Sequence, residues 1–350
     1  MDQEQIRRLL VETASRLFAD GPENEIQEGV EQSRFPQELW DAIEDNGLGD
    51  ALLPESAGGS GFDYPNALAP LRVAGAFALP VPLMETMVGR RLLHDVGISA
   101  PEGPLGLVFV DTCPTVRCTR DGSLLSLDGR LRVAWANDID SLVVVKATSR
   151  EALVGRMKLK RGGDGGFNMA GEPCRDLELN DVTIDGHESN LWRHERPLWL
   201  GAAARTQMIA GALDRVLDLS IEHAQGREQF GRAIAKFQAV QHLVAQMASE
   251  VAAVGVAAES AAHALTRHDG GLEVAAAKAR ASEAAENVAR LAHQVHAAIG
   301  YTREHVLHRF TRRLWLWRDA EGDELFWQER VGRAVLAGGG DEVWPALSRN

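Results

Sequence analysis

The sequence contains few cysteines and fewer basic than acidic residues. Its three cysteines, Cys113, Cys118 and Cys174, form no CxxC pair, so the sequence predicts no disulfide framework and we interpret them as reduced thiols. The chain has 37 lysines and arginines against 50 aspartates and glutamates, a formal charge of -13. Because this charge repels phosphate groups, we expect neither nucleic acid nor an anionic membrane surface as a partner.

Long apolar runs are also missing. No stretch approaches the roughly 20 apolar residues that a membrane helix needs, and residues 1–5 (MDQEQ) lack the basic start and apolar centre of a signal peptide. We therefore expect a cytoplasmic protein without membrane association. The 350 residues, of which 45% are hydrophobic, are enough for two or three globular domains.

The texture of the chain changes twice. Up to about residue 98 the apolar residues recur at helical spacing, whereas from about residue 104 short β-rich runs alternate with Gly-containing turns. After Pro197 the chain is rich in alanine and again helix-periodic, with room for four long helices between its breaks. The predicted fold is mainly α with a central β domain. Its parts are an N-terminal helical domain (1–103), a small antiparallel β domain (104–190), a C-terminal four-helix bundle (191–337) and a tail (338–350).

The most informative segment is REQFGRAIAKFQAVQHLVAQM, residues 227–247. It places an arginine in a short loop directly before a helix with an apolar stripe. A guanidinium offers a planar set of donors and a helix start adds free N–H groups, so this pattern suits a phosphate or carboxylate. A structural salt bridge is the alternative interpretation of the same arginine.

This segment resembles the signature of the acyl-CoA dehydrogenase family. Two further stretches are similar to that family: QVHAAIGYTRE, residues 294–304, resembles its second flavin-contacting segment, and LGDALLPESAGGSG, residues 48–61, resembles part of its first helical domain. The helical, β, helical order is also the architecture of the family. The resemblance therefore covers both helical regions, whereas the family's usual Thr-Glu-Pro and Gly-Ser-Asp segments are absent from the β region.

The resemblance implies a flavoprotein that uses FAD. In relatives the loop before the long helix reaches from one subunit to the FAD of its neighbour, with the arginine on the pyrophosphate, so the resemblance implies an oligomer. The stretch Val133-Ala134-Trp135 resembles a remnant of the family strand whose tryptophan lies against the flavin ring. The residues expected to contact the cofactor are Arg227, Gln229, Phe230, Gln238, Gln294, Ala298 and Trp135.

One pair of residues departs from the family pattern, and the position of the catalytic base has more than one candidate. Most relatives carry a glycine pair where this chain has Ala297 and Ala298, and a Cβ there crowds a ligand that approaches the backbone. The family reaction needs a carboxylate that removes the α-proton of a thioester. Counting from Arg309 without a gap places Glu321-Gly322 in register with the family's common Glu-Gly pair, so the resemblance implies Glu321 as this base. A solvated charged helix end at this position, a base on an earlier helix near Gly201, and a chain that lacks any base remain alternatives.

Two pairs of histidines do not predict a metal site. His293 with His296, and His305 with His308, are three residues apart, but no set with metal-ligand spacing is completed nearby, apart from Glu304. We therefore expect no metal.

The sequence leaves three functions open. The first is an FAD-dependent acyl-CoA dehydrogenase that inserts an α,β double bond into an acyl-CoA and passes electrons to a separate acceptor, as a homodimer or homotetramer. The second is a catalytically silent relative, similar to subunits acting on bulky or steroid-like acyl-CoAs, in a heterotetramer with an active paralogue. The third is a helical interaction scaffold, which predicts neither cofactor nor ordered pocket.

Overall fold

The computed structural model describes residues 2–20, 23–147, 151–188, 195–267 and 269–338. Helices at both ends of the chain enclose a central set of β strands, as the sequence predicts. The predicted domain boundary at residue 190 and the tail after Gly338 lie outside the described residues. Among the residues described, no helix combines the length and the apolarity that a membrane crossing requires.

The N-terminal part contains five α helices, and the first of them begins with a capping box. The Asp2 side chain accepts a hydrogen bond from the Gln5 N–H, and the Gln5 side-chain oxygen accepts one from the Asp2 backbone N–H, which satisfies two N–H groups at the helix start. Short 3-10 turns at Leu48–Asp50 and Glu55–Ala57 connect the third and fourth helices. The helices are α1 (Gln3–Ala19), α2 (Glu23–Glu31), α3 (Gln37–Asp45), α4 (Tyr64–Ala76) and α5 (Leu83–Asp95).

The β domain is a curled sheet with the strand order β1-β4-β5-β7-β3-β2. The expected antiparallel arrangement holds for all pairs but one, because β1 and β4 run parallel. The longest strand, β7, pairs with β5 near its C-terminal end and with β3 along most of its length, so it joins the two halves of the sheet. The strands are β1 (Gly106–Phe109), β2 (Val116–Asp121), β3 (Leu124–Ala134), β4 (Ser141–Ala147), β5 (Ala152–Lys158), β6 (Gly166–Phe167) and β7 (Pro173–Glu188).

The C-terminal part has three long helices and two shorter ones. The sequence predicted four long helices, but in the structure the fourth is divided at residues 320–323 into two shorter helices. A small hairpin of β8 (Glu228–Gln229) and β9 (Arg232–Ala233) separates the first two helices. The helices are α6 (Arg196–Gly226), α7 (Gln238–Ala264), α8 (Gly271–His296), α9 (Leu307–Asp319) and α10 (Glu324–Gly338).

Close backbone contact joins the N-terminal part to the bundle. A Cβ at Gly75 of α4 would meet the Met208 carbonyl oxygen of α6 at 2.0 Å, and one at Gly211 of α6 would meet the Arg72 carbonyl oxygen at 1.7 Å. Glycine at both positions is therefore required for this helix crossing. One apolar core runs through both helical parts, and a second fills the β domain.

Candidate functional site

A cavity of about 380 Å³ lies where α5, the β domain, α6 and the end of α9 meet. Its lining is largely apolar and includes Phe109, Trp135 and Trp317. Charged residues also line it, among them Arg205 and Glu321. The predicted base and the predicted ring-contacting tryptophan therefore line the same cavity.

Glu321 forms an ion pair with Arg205 in this cavity. The Arg205 Nε donates to one carboxylate oxygen at 2.8 Å and its Nη2 donates to the other at 3.1 Å. The same guanidinium donates to Glu85 at 2.7 Å. The side chains of Arg205 and Glu321 are only 5% and 9% exposed, and the two carboxylates raise the pKa of Arg205 although burial opposes this. The cluster therefore carries one permanent positive charge between two acids.

The turn between α9 and α10 fixes the backbone of Glu321. Glu321 has φ +53° and Gly322 has φ +99°, a conformation that the glycine adopts without strain. The Trp327 indole N–H donates to the Glu321 carbonyl at 3.0 Å. The buried Lys278 ammonium donates to the carbonyls of Arg318 and Gly322. Donors from α8 and α10 thus hold both sides of the turn.

Lys278 is a titratable group in the protein interior. Burial lowers its pKa from 10.5 to about 7, and the Glu321 charge opposes this shift while Arg205 adds to it. Its third hydrogen-bond partner is the Ser282 hydroxyl at 3.0 Å. All three ammonium hydrogens therefore have acceptors, which reduces the cost of burying the charge.

The alternative base position lies beside Glu321. A Cβ built on Gly201 would lie 3.4 Å from the Glu321 Cγ and 2.6 Å from the Phe109 ring. The two base positions considered from the sequence thus converge on one place, which the described structure fills with Glu321 and Phe109. Gly201 has no side chain to act there, so Glu321 is the sole carboxylate of the two.

Trp135 follows directly after β3 and is buried. Its backbone N–H donates to the Pro173 carbonyl at 2.7 Å, and its ring packs edge-to-face on Phe35 with centroids 5.5 Å apart. Trp135 has φ +59°, an uncommon conformation for a large side chain that often marks functional positions. Its place in the cavity is compatible with the predicted ring contact.

The β8–β9 hairpin presents the signature segment at the surface. Its two central residues, Phe230 and Gly231, have φ +52° and +75°, as a tight two-residue hairpin requires. The Phe230 side chain is 92% exposed. Arg227 is exposed, and among the described residues its side chain has no hydrogen bond or ion pair. The structural salt bridge considered for Arg227 is therefore not formed by any acid that the structure describes.

The second predicted segment lies next to the first. His223, at the end of α6, stacks on His296, at the end of α8, with ring centroids 4.5 Å apart. The contact brings the hairpin and residues 297–301 together. Gln294, Ala297 and Ala298 are exposed there, and Gln238 is exposed at the first turn of α7. The structure therefore groups the predicted cofactor contacts into two sets: Trp135 with the Glu321 cavity, and Arg227, Gln229, Phe230, Gln238, Gln294 and Ala298 at the bundle surface.

The surface set consists mainly of polar side chains that face solvent. Arg227, Gln229, Gln238 and Gln294 are exposed donors, and in the described part of the chain their side chains have no other partner. None of these residues lines the Glu321 cavity. Ala297 has φ +53° and ψ −140°, a conformation that strongly favours glycine. Glycine would therefore adopt this backbone with less strain than the alanine that is present.

Two charged residues close to Glu321, Arg205 and Lys278, were not predicted from the sequence. Arg205 and Glu321 are 116 residues apart, and Lys278 lies in a different helix from either. No spacing rule connects them, since they meet only because α6, α8 and the turn after α9 pack together. A charged residue in an otherwise apolar helix stretch, such as Arg205 within GAAARTQMIAG, was the one available signal.

Comparisons with known proteins match both ends of the chain to one family. The acyl-CoA dehydrogenase N-terminal domain matches residues 3–97, and the acyl-CoA dehydrogenase C-terminal domain matches residues 196–336. The chain is 29% identical over 323 residues to acyl-CoA dehydrogenase FadE27 of Mycobacterium tuberculosis, covering 83% of this chain and 85% of that protein. It is 25% identical over 317 residues to acyl-CoA dehydrogenase IpdE2 of Mycolicibacterium smegmatis, covering 88% and 91%.

Solved structures show the same fold. A variant of the Tcur3481-Tcur3483 steroid ACAD superposes with a TM-score of 0.84 at 22% identity, over 96% of this chain and 99% of that one. The ChsE4-ChsE5 complex from Mycobacterium tuberculosis gives a TM-score of 0.80 at 24% identity, over 97% and 100%. These matches confirm the predicted helical, β, helical architecture.

Proposed function

Because the chain belongs to the acyl-CoA dehydrogenase family, whose members are flavin-dependent oxidoreductases, we propose that it completes the FAD site of a catalytic partner subunit. The observation that carries this proposal is the Arg205–Glu321 ion pair, which occupies both oxygens of the predicted base. The chain offers its free donors elsewhere, on the β8–β9 hairpin.

The ion pair opposes a role for Glu321 as the base. A base that removes an α-proton needs a free lone pair beside the substrate carbon. Each Glu321 oxygen keeps a second lone pair, but two hydrogen bonds from Arg205 fix the direction of the carboxylate. Turning it away from this partner costs several kcal/mol, because a buried charge is then left unpaired. Glu85 retains only one hydrogen bond to the same guanidinium. We therefore expect the ion pair between Arg205 and Glu321 to remain intact.

The hairpin and the neighbouring segment supply the cofactor contacts. Arg227 would pair with the FAD pyrophosphate, Phe230 would pack against the cofactor, and the amides of Gln229, Gln238 and Gln294 would bind its polar groups. When bound there, FAD would supply the acceptor for the hydride that leaves the β-carbon of the acyl-CoA. The residues of this chain bind and orient the cofactor, whereas the partner provides the base.

The outer face of α7 supports an oligomer. Every residue of α7 that is exposed is uncharged, in a chain of which 25% is charged. Depletion of charge is typical of interface cores. Gln238 and the hairpin adjoin one end of this helix, so a partner packed on α7 would lie beside the cofactor contacts. The exposed residues of the face include Ala245, Ala248, Ala252, Ala253 and Val256.

The similar proteins favour a partner of a different sequence. Two of the solved structures are named as pairs of proteins, Tcur3481-Tcur3483 and ChsE4-ChsE5, and the first is named a steroid ACAD. We therefore propose a heteromeric acyl-CoA dehydrogenase that acts on a bulky, steroid-like acyl-CoA, with a separate electron acceptor. A scaffold without an ordered pocket does not agree with the cavity beside Glu321.

Co-expression with an active paralogue tests the proposal. The chain alone should neither retain flavin nor oxidise acyl-CoA, whereas the co-purified complex should be yellow and active. Arg227→Ala in this chain should lower the flavin content of the complex. Arg215→Ala is the control, because Arg215 is a partly exposed arginine of α6, the helix that precedes the hairpin, and it pairs with Glu222. Equal flavin loss in both variants would contradict the proposal.

A second candidate is that this chain is itself the catalytic dehydrogenase. The favouring observation is that Glu321, 9% exposed, lines an apolar cavity together with Trp135. Glu321→Gln separates the two candidates. If the complex keeps its activity, the silent role holds; a loss of about 10²-fold or more with FAD still bound identifies Glu321 as the base.

A further inference from the structure

Three histidines from distant parts of the sequence meet beside the surface segments. His223 lies near the end of α6, His296 ends α8, and His305 lies just before α9. One ring nitrogen from each lies within 4.8 Å of those of the other two. The ring centroids of His296 are 4.5 Å from His223 and 4.6 Å from His305. The sequence pairs examined earlier did not include His223, which is 73 residues from His296.

The hydrogen bonds of His296 define its free nitrogen. Its Nδ1 lies 2.8 Å from the Ala292 carbonyl oxygen, and because a carbonyl only accepts, Nδ1 carries the proton. The other nitrogen, Nε2, then has a lone pair, and it is buried with no hydrogen-bond partner among the described residues. The His296 side chain is 2% exposed. A histidine whose Nδ1–H binds a backbone carbonyl is the usual arrangement of a metal ligand.

The other two rings are also neutral near pH 7. Burial lowers the pKa of His223 and of His305, and lowers that of His296 to about 4. His305 accepts a 3.2 Å hydrogen bond from the Leu307 N–H through Nδ1. A ligand role for His305 requires this contact to be given up, at a cost of about 1 kcal/mol.

We propose that His223, His296 and His305 bind one divalent transition-metal ion of the zinc class. Three neutral imidazoles suit Zn²⁺, Co²⁺, Ni²⁺ and Cu²⁺, whereas Mg²⁺ and Ca²⁺ prefer oxygen ligands. Tetrahedral zinc with bonds of about 2.0–2.1 Å separates its ligand nitrogens by about 3.3 Å. Small ring rotations bring nitrogens within 4.8 Å to that spacing, and a fourth position stays open for water.

The tautomer of His296 disfavours a phosphate in the same place. Phosphate oxygens accept hydrogen bonds, and the Nε2 of His296 has no hydrogen to donate. The nearby charges nearly balance: Arg227 acts on His223, and Glu222 acts on His305. A cation is therefore not excluded by the local charge.

The ion would join the ends of α6 and α8. His223 precedes the β8–β9 hairpin and His296 directly precedes Ala297, so a bound ion would hold these two segments in a fixed relation. This inference goes beyond the proposed function and does not depend on it, because zinc binding is measured without flavin or substrate.

Zinc titration of the full-length chain tests the site. The protein carries no histidine tag, is treated with EDTA and dialysed, and is then titrated with ZnCl₂ by calorimetry. We expect one zinc per chain and a rise in the unfolding temperature with zinc concentration. Co²⁺ should give a visible absorption band typical of a tetrahedral site.

Variants assign the binding to the three rings. His223→Asn and His305→Asn, at half-buried positions, should each weaken zinc binding by about 10-fold or more, since loss of even an outer-shell partner costs about 10–100-fold. His263→Asn is the control, because His263 is exposed on α7, and it should leave zinc affinity unchanged. Zinc affinity that is equal in all three variants overturns the proposal. A wild-type chain that binds no zinc also overturns the proposal. The same holds for a chain whose unfolding temperature rises with FAD but not with zinc.

Discussion

Arg205 and Glu321 form a two-bonded ion pair across 116 residues of sequence, with hydrogen bonds of 2.8 and 3.1 Å and side chains that are 5% and 9% exposed. The pair joins α6 to the turn after α9 at the wall of the cavity. Its energetic weight follows from burial, because removing either side chain leaves the other charge without its partner.

Arg205→Leu should strongly destabilise the protein. The substitution leaves Glu85 and Glu321 close together without their shared cation, so we expect the free energy of unfolding to fall by about 3–5 kcal/mol. Urea denaturation at pH 7 measures this. Arg215→Ala, which removes an exposed pair with Glu222, should change stability by less than about 1 kcal/mol. Similar small changes in both variants would show that the Arg205 cluster is not a stabilising element.

Gly201→Ala should destabilise the cavity wall. The added methyl would lie 2.6 Å from the Phe109 ring, and overpacking of this kind costs about 1–3 kcal/mol. Gly226→Ala, at the end of the same helix with no atom within 4 Å of the new Cβ, should be neutral or stabilise by up to about 1 kcal/mol. Thermal unfolding of the two variants gives the comparison, and equal melting temperatures would contradict it.

Ala297→Gly should stabilise the protein. Ala297 has φ +53° and ψ −140°, a region that costs a non-glycine residue about 1–3 kcal/mol, partly offset by the entropy of glycine. The expected net gain is about 1 kcal/mol. Ala298→Gly relieves no such strain and should lose stability instead. The same urea denaturation assay measures both, and a loss in the Ala297 variant would refute the strained backbone.

Lys278 should make stability depend on pH between about 7 and 10. The folded pKa is about 7 because of burial, whereas an unfolded lysine has a pKa of about 10.4. In that window the unfolded chain binds a proton that the folded chain does not, so stability rises with pH, by up to about 1.4 kcal/mol per pH unit.

Lys278→Met should remove this rise when urea denaturation is repeated at several pH values. The exposed Lys158→Met is the control, and it should retain the wild-type slope. Identical slopes in the wild type and the Lys278 variant would show that the buried amine is not the titrating group.

The order of the elements was accessible from the sequence because local patterns encode it. Helical periodicity predicted both helical regions, and the short β-rich runs near residues 105–110, 124–127 and 142–145 lie in or beside observed strands. The signature from Arg227 to Met247 predicted the loop and helix that the structure shows. The parallel pairing of β1 with β4 and the break between α9 and α10 were not predicted, since both depend on contacts outside the segment concerned.

By itself, the sequence determined the fold class and the family, because both are encoded by residues that are neighbours along the chain. Only the tertiary structure decided that Glu321 is held by Arg205 and that three histidines share one place. Both depend on side chains from segments that are distant along the chain and meet only because the helices of the C-terminal part pack together.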